Sequence, residues 1–232
     1  MVERRETSQT LREVLRSAAK LQQLVPDAVL VGGSAAALYA HHRDSFDHDH
    51  VVADLARRYE QVLDAVEASD GWATSVRASR PPMTILGRLD GVEAGLRQIR
   101  RTRPLETTQL ELDADTSVVV PTVAEILRVK AYLIVQRNYV RDYLDVVALS
   151  DAIGNEEAVA VLKEIDDYYD DRSGERGSVL TALVASLADP HPRDTDVILE
   201  LPRYKGLAPR WHEWSAVVQY CQDLALRLAG AR

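Results

Sequence analysis

The first half of the chain alternates between two hydrophobic periods. Residues 8–24 carry an apolar side chain every three or four positions, which predicts an amphipathic helix. Residues 28–31 and 48–53 are short apolar-rich runs, which are typical of strands. Between them, Gly32-Gly33 and an alanine-rich segment from Ser34 to about residue 40 predict a glycine turn that opens a helix. The predicted order is therefore strand, glycine turn, helix and strand.

Turn signals divide the remainder of this half. Asp90-Gly91 lies between two strand-like runs, at 83–89 and 92–98, and is a strong hairpin signal. Apolar spacing also predicts a helix from about 54 to 69 and strands at 72–76 and 117–120. The first half is therefore expected to be mixed in helix and strand.

From Pro121 onward the apolar spacing is mainly helical. Thr122 and Glu125 have the spacing of a capping box, which predicts a helix start. We expect helices at about 123–137, 140–152, 156–170, 178–188 and 209–229, with loops over 189–208. The sequence predicts an α+β protein: a mixed sheet flanked by helices in a domain over 1–120, then a helical domain over 121–232 that completes the functional site.

Composition narrows the class of protein. The net charge of −8 argues against broad, nonspecific binding to nucleic acid, although four arginines between residues 97 and 103 form a local basic patch. The single cysteine, Cys221, excludes an internal disulfide and lies in an apolar helical pattern that indicates packing. No run approaches the roughly 20 apolar residues of a membrane helix, and the first residues lack the apolar stretch of a signal peptide. We therefore expect a cytoplasmic protein with no membrane partner.

Two aspartates are the first candidates for chemistry. Asp47 and Asp49 are two residues apart in a predicted strand, so their carboxylates point to the same face. With Cα atoms about 7 Å apart, the pair can converge on one or two Mg²⁺ or Mn²⁺ ions. Two such ions can hold the attacking and leaving oxygens of a phosphoryl or nucleotidyl transfer.

The glycine turn offers the complementary half of a nucleotide site. Gly32 and Gly33 let backbone N–H groups approach a phosphate, and the helix that follows presents its N-terminus to the anion. Ser34 can add a hydroxyl contact. The combination of strand, glycine turn, helix, strand and paired aspartates is more specific than either motif alone.

This segment resembles the signature of the nucleotidyltransferase superfamily related to DNA polymerase β, in which Gly-Gly/Ser is followed by Asp-x-Asp. Thirteen residues separate Gly33 from Asp47, at the long end of the usual gap. More narrowly, Arg43-x-Ser45-x-Asp47-x-Asp49 resembles the form found in AbiEii-type nucleotidyltransferase toxins, which include the MenT group.

A later segment resembles the same toxins, which carry a lysine, an arginine and an Arg-Asp-x-x-Asp element on a helix. The matching residues here are Lys130, Arg137, Arg141, Asp142 and Asp145. If one continuous helix spans them, the three cations fall within about 40° of one another. Asp145 then lies about 60° from Lys130 and is favoured over Asp142, whereas a break near Asn138 would keep Asp142 as an alternative.

The resemblance implies transfer of a nucleoside monophosphate from an NTP, with release of pyrophosphate. The 3′ end of tRNA is the implied acceptor and an antitoxin protein the implied partner. The implied roles are phosphate binding for Gly32, Gly33 and Ser34, metal binding for Asp47 and Asp49, charge balance for Lys130 and Arg137, and orientation of the acceptor or completion of the metal site for Asp145 or Asp142. The third carboxylate of polymerase-β-like enzymes has no clear equivalent, since Asp90 and Glu93 lack its flanking residues.

Other functions fit parts of the sequence. A catalytically silent module that binds a nucleotide or a protein would also carry these motifs, and the acceptor of an active enzyme could be a small molecule or a protein. His48 and His50 alternate with the aspartates and should face the interior of the fold. A cluster of four histidines that also includes His41 and His42 can bind zinc. His48-Asp49, with an upstream His41 or His42 and a later aspartate, imitates the metal ligands of HD-type phosphohydrolases, but those ligands lie on helices, and this segment is strand-like.

Overall fold

The computed structural model of the protein describes residues 8–101, 103–169 and 177–230. These residues divide into two compact units. The sheet unit comprises the described residues within 1–38, 44–100 and 104–122, and the helical unit comprises those within 39–43, 101–103 and 123–232.

The sheet unit contains a five-stranded mixed sheet. Its elements are α1 (Gln9–Leu24), β1 (Val29–Val31), α2 (Gly32–Ala40), β2 (Asp47–Val52), α3 (Tyr59–Glu67), β3 (Trp72–Thr74), β4 (Thr84–Leu89), β5 (Val92–Gln98), β6 (Thr107–Asp113) and β7 (Thr116–Pro121), with a 3₁₀ turn at Leu55–Arg57. The strand order is β1-β2-β5-β4-β3, in which β2 and β5 are parallel and the other neighbours antiparallel. Strands β6 and β7 form a separate antiparallel pair.

The core of the sheet unit lies between the sheet and helices α1 and α3. Ser8 caps α1 by accepting a hydrogen bond from the Leu11 amide, and the predicted apolar stripe of α1 is buried. Leu21 packs with Val62 of α3 and Leu96 of β5 in one apolar cluster. Strands β2 and β5, which are adjacent inner strands of the sheet, both contribute to this cluster.

The helical unit is built around α5. Its elements are α4 (Val123–Arg137), α5 (Val140–Ile153), α6 (Asn155–Lys163), α7 (Ile165–Tyr168), α8 (Val179–Ala188), α9 (Asp196–Leu199) and α10 (Trp214–Leu228), with 3₁₀ turns at Leu201–Arg203 and Pro209–Trp211. Residues 142–150 of α5 are all buried. Cys221 of α10 is also buried, and burial raises the pKa of its thiol, so packing is its role.

The structure confirms the predicted fold class, a mixed sheet flanked by helices and followed by a helical part. It also corrects several elements. Strand β6 was not predicted, and the segment 189–208, expected to be loop, contains α9 and a 3₁₀ turn. The helix expected over 156–170 is divided into α6 and α7, and residue 170 lies outside the described residues. The helix expected from 209 starts at Trp214, after a separate 3₁₀ turn.

Candidate functional site

Strand β2 presents its two aspartates on one face. Asp47 is exposed and Asp49 is partly buried, whereas His48 and His50 between and after them are buried. This alternation confirms the predicted facing of the side chains. The carboxylates therefore share the open face of the sheet, and the two imidazoles belong to its covered face.

The glycine turn lies directly against this carboxylate pair. Antiparallel pairing of β1 with β2 places Val31 opposite Asp49, so the next residue, Gly32, starts helix α2 beside Asp49. Gly32 has φ +76°, and a Cβ built on it would lie 3.4 Å from Asp49 Cβ and 3.5 Å from Asp49 Oδ2. Glycine is required by this backbone conformation. The unpaired N–H groups of the first turn of α2 and the Asp49 carboxylate therefore meet at one place.

A second glycine makes room for Asp49 on the neighbouring strand. Gly95 of β5 is the register partner of Asp49. A Cβ on Gly95 would lie 2.6 Å from Asp49 Oδ1 and 2.9 Å from Leu86 Cδ2. The Asp49 carboxylate thus extends over a position where any other residue would displace it.

Gly95→Ala is expected to weaken binding of a divalent cation and to lower the free energy of unfolding by about 1–3 kcal/mol, the usual cost of overpacking. The methyl group forces Asp49 off its rotamer because Oδ1 is the nearest atom. A Mn²⁺ titration and a urea unfolding curve measure the two effects. Gly91→Ala is the matched control: its φ of +85° makes alanine strained, but nothing lies within 4 Å. It should lose stability and keep its Mn²⁺ affinity. Wild-type Mn²⁺ affinity in Gly95→Ala would contradict this role of the glycine.

The two serines near the aspartates act within the protein. Ser34 is buried, and its hydroxyl donates a 2.6 Å hydrogen bond to the main-chain oxygen of Asp47. Ser45 donates a 3.1 Å hydrogen bond to Asp47 Oδ1. The contact of Ser34 with a phosphate stays a prediction. The one O–H proton of Ser34 joins α2 to β2, and the backbone of the glycine turn is left to meet a phosphate.

The charged group nearest to Asp49 on strand β5 is a cation. Arg97 Nε lies 3.2 Å from Asp49 Oδ1. Of the two further carboxylates that the sequence offered, Glu93 is the register partner of Asp47 and pairs with Arg88, and Asp90 pairs with Lys20 at the hairpin. Within residues 8–101, 103–169 and 177–230, no three His, Cys, Asp or Glu side chains form a group that could hold a metal ion.

The covered face of β2 carries two neutral histidines. The Ser17 hydroxyl donates to the Leu89 carbonyl oxygen, so it must accept from His48, whose Nε2 lies 3.0 Å away. His50 is fully buried, and neither of its ring nitrogens has a hydrogen-bond partner in the described structure. The strand conformation and this burial leave no basis for the HD-type metal site.

Stability is expected to fall with acidification. Burial lowers the pKa of His48 to about 4 and lowers the pKa values of His50 and His42 from 6.5. The unfolded chain therefore binds more protons below pH about 6.5, where each histidine removes up to about 1.4 kcal/mol per pH unit from the free energy of unfolding. The loss ends for each group at its folded pKa. Urea unfolding at pH 7.5, 6.5, 5.5 and 4.5 measures the slope.

His50→Leu is the variant for this measurement, because it removes the titrating ring without leaving an unpaired polar atom. Its slope should be smaller than that of the wild type. His191→Gln, which changes an exposed histidine, should leave the slope unchanged. A free energy of unfolding that stays constant from pH 7.5 to 5.5 would contradict the account of the buried histidines.

The helical unit contains a buried ionic cluster around Asp145. Both carboxylate oxygens are occupied: Oδ1 accepts from Arg43 Nε at 2.9 Å and lies 2.8 Å from His42 Nε2, and Oδ2 lies 2.7 Å from Lys130 Nζ and 3.1 Å from an Arg43 terminal nitrogen. Asp145 is fully buried, and Lys130 is 2% exposed. Burial alone would raise the pKa of Asp145, but the charges of Arg43 and Lys130 hold it well below the ordinary value.

A second ion pair closes the corner between α4 and α5. The segment is not one helix: α4 ends at Arg137, and Asn138 has φ +56°. The Arg137 guanidinium then contacts both oxygens of Asp142 at 2.7 Å, and Asp142 is fully buried. Lys130, Arg137 and Arg141 therefore do not lie on one continuous helix, and the angles calculated between them on that assumption are wrong.

These two clusters change the expectations for the helical residues. The structure places Lys130 and Asp145 in one buried network, and Arg137 and Asp142 in another. Because both of its oxygens are occupied and its pKa is lowered, Asp145 is a poor base for an acceptor hydroxyl. Lys130 is the partner of Asp145, and Arg137 is the partner of Asp142. The contacts with substrate expected of these four residues stay predictions.

The basic patch at 97–103 is also divided. Arg97 contacts Asp49, as described above. Arg101 is buried against Glu125 at 2.6 Å, and Arg103 stacks on the Tyr168 ring at 3.7 Å. Two of the four arginines therefore pack within the helical unit, and the patch is not one continuous surface for nucleic acid.

Solved structures with the same fold include two bacterial proteins. MenT4, a nucleotidyltransferase toxin from Mycobacterium tuberculosis H37Rv, superposes with a TM-score of 0.60 at 17% identity, over 94% of this chain and 82% of that one. JHP933 from Helicobacter pylori superposes with a TM-score of 0.54 at 17% identity, over 97% of this chain and 95% of that one. The chain has a nucleotidyltransferase-like fold. At such low identity the likeness concerns the fold, and the activity has to be argued from the site.

Sequence comparison gives a different group of relatives. The chain is 33% identical over 241 residues to the heme uptake protein MmpL11 of M. tuberculosis H37Rv, covering 95% of this chain and 23% of that protein. It is 35% identical over 131 residues to the mycolic acid-containing lipids exporter MmpL11 of Mycolicibacterium smegmatis, covering 56% and 13%. The chain thus spans about a quarter or less of the length of these relatives, whose names describe much longer proteins. No protein-family model matches the chain. Among the helices that the structure describes, none has the length and apolar character needed to cross a membrane.

Proposed function

We propose that the chain transfers a nucleoside monophosphate from an NTP to an acceptor hydroxyl and releases pyrophosphate. The observation that carries this proposal is the approach of Gly32 to Asp49, which brings the N-terminus of α2 and the carboxylate pair to one place. A helix N-terminus binds phosphate, and a carboxylate pair binds the cation that accompanies a triphosphate. The nucleotidyltransferase-like fold supports the same reading.

The donor set fits one hard divalent cation. Mg²⁺ is commonly held by one or two carboxylates together with water and substrate phosphates, and Asp47 and Asp49 supply such a pair on an open face. When bound, Mg²⁺ or Mn²⁺ would polarise the phosphates of the nucleotide. Ser45 orients Asp47, Gly95 makes room for Asp49, and the amides of the glycine turn bind phosphate oxygens.

We propose the 3′ end of tRNA as the acceptor. The resemblance of residues 43–49 to the AbiEii-type toxins and the toxin activity named for MenT4 support this choice. By the same argument, the chain acts as the toxin of a pair and is inhibited by an antitoxin protein.

Incubation with total tRNA and each α-³²P-labelled NTP tests the acceptor. We expect label on tRNA with at least one NTP, and no label on tRNA whose 3′ diol has been oxidised by periodate. Label that persists after oxidation would contradict the 3′ end. Label on the protein or on a small molecule would show that this molecule, and not RNA, is the acceptor. Binding of NTP without any transfer would indicate a silent binding module.

A further inference from the structure

The open face of β2 continues onto β5 in a fixed order. Parallel pairing places Glu93, Gly95 and Arg97 of β5 beside Asp47, Asp49 and Val51 of β2, respectively. The position beside Asp49 has no side chain, and the next position on this face supplies a guanidinium. The Arg97 side chain is 46% exposed, and its contact with Asp49 Oδ1 is made through Nε.

We propose that Arg97 is a catalytic residue that supplies the second positive charge of the site, beside a single divalent cation held by Asp47 and Asp49. This inference rests on the proposed nucleotidyl transfer. A second cation would need a further carboxylate. Glu93 lies beside Asp47, but it pairs with Arg88, and the described residues contain no group of three potential ligands. The Arg97 guanidinium, which is held against Asp49, supplies positive charge next to the pair.

The chemistry of the transfer explains what this charge does. The acceptor oxygen forms a bond to the α-phosphorus, and the bond from that phosphorus to the bridging oxygen of pyrophosphate breaks. The electron pair of the broken bond leaves with pyrophosphate, and the hydroxyl proton passes to water. The N–H groups of Arg97 that do not contact Asp49 donate to the non-bridging oxygens of the α-phosphate, where a charge-assisted hydrogen bond strengthens as negative charge develops.

If the ion pair of Arg97 and Asp49 only stabilised the fold, removal of Arg97 would lower the free energy of unfolding. Partly exposed ion pairs contribute little to folding, however, and β2 and β5 are already joined by six paired positions. Removal of Arg97 should therefore leave the unfolding curve close to that of the wild type, so effects on metal count and on kcat can be read separately from stability.

Four variants test the inference: Arg97→Ala, Arg97→Lys, Arg97→Asp and, as control, Arg57→Ala, which changes an exposed arginine of the same unit that pairs with Asp54. Bound Mn²⁺ is counted by electron paramagnetic resonance with the α,β-methylene analogue of each of the four NTPs, which cannot be cleaved at the α-phosphate. Transfer kinetics are measured in parallel.

We expect one Mn²⁺ per wild-type chain and two in Arg97→Asp, which restores a third carboxylate. Arg97→Ala should lower kcat at least about 100-fold with a smaller change in KM. Arg97→Lys should recover part of kcat, and Arg57→Ala should match the wild type. Two Mn²⁺ ions in the wild type, or a kcat of Arg97→Ala within twofold of the wild type, would overturn the role of Arg97 and leave the proposed transfer intact. Absence of transfer in the wild type would refute the proposed function. In that case the Mn²⁺ count still tests Arg97, and a single bound ion in Arg97→Asp would refute the inference.

Discussion

Replacing Asp47 or Asp49 by asparagine is expected to lower nucleotidyl transfer at least about 100-fold, because each change removes a carboxylate ligand of the cation. Even groups that only orient metal ligands change activity by about 10–100-fold when they are removed, so a ligand itself should cost more. Asparagine has the shape of aspartate, and Asp47 is exposed. The free energy of unfolding of Asp47→Asn should therefore stay within about 0.5 kcal/mol of the wild type.

Transfer rates with α-labelled NTP and urea unfolding curves measure these two effects. Asp64→Asn, which changes an exposed aspartate of α3 in the same unit, is the matched control and should transfer normally. Activity close to that of the wild type in both Asp47→Asn and Asp49→Asn would show that the carboxylate pair takes no part in the reaction.

Asp145→Asn is expected to lower the free energy of unfolding by about 3–5 kcal/mol, which is the usual cost of breaking a buried ion pair. The substitution leaves the charges of Arg43 and Lys130 buried side by side without a carboxylate. Lys130→Met should cost less, because Arg43 still neutralises Asp145 in that variant.

Urea unfolding at pH 7.5 gives the free energy of unfolding of each variant. The control Arg57→Ala removes an exposed partner of Asp54 and should show no measurable change. The same measurement decides between two roles of Asp145. If Asp145→Asn keeps the stability of the wild type but loses transfer, then Asp145 acts on the substrate, as the sequence resemblance implied, and the structural role proposed here is wrong.

The motif at the start of the chain could be predicted because its parts are local. Strand alternation alone puts Asp47 and Asp49 on one face, and the short connection from β1 to α2 puts the glycine turn at the end of the adjacent strand. The hairpin about Asp90-Gly91 could also be predicted, because both residues favour the positive φ that this turn needs. These features depend on a few residues close together in sequence.

Features that depend on tertiary pairing could not be predicted. Strand β6 has no fully buried residue, and its apolar alternation consists of Leu110 and Leu112 alone, which is too short a pattern to predict a strand. The pairing of Asp145 with Arg43 joins residues more than 100 positions apart. Arg97 was read as part of a basic patch, because only the register of β5 against β2 reveals that it contacts Asp49.

The most direct test of the account is a comparison of the same NTP labelled with ³²P at either the α- or the γ-phosphate. Both forms are incubated with the protein, a divalent cation and the acceptor. Nucleotidyl transfer predicts that the α-label moves to the acceptor and the γ-label is recovered in pyrophosphate. Recovery of the γ-label on the acceptor would show phosphoryl transfer instead and would contradict the central claim.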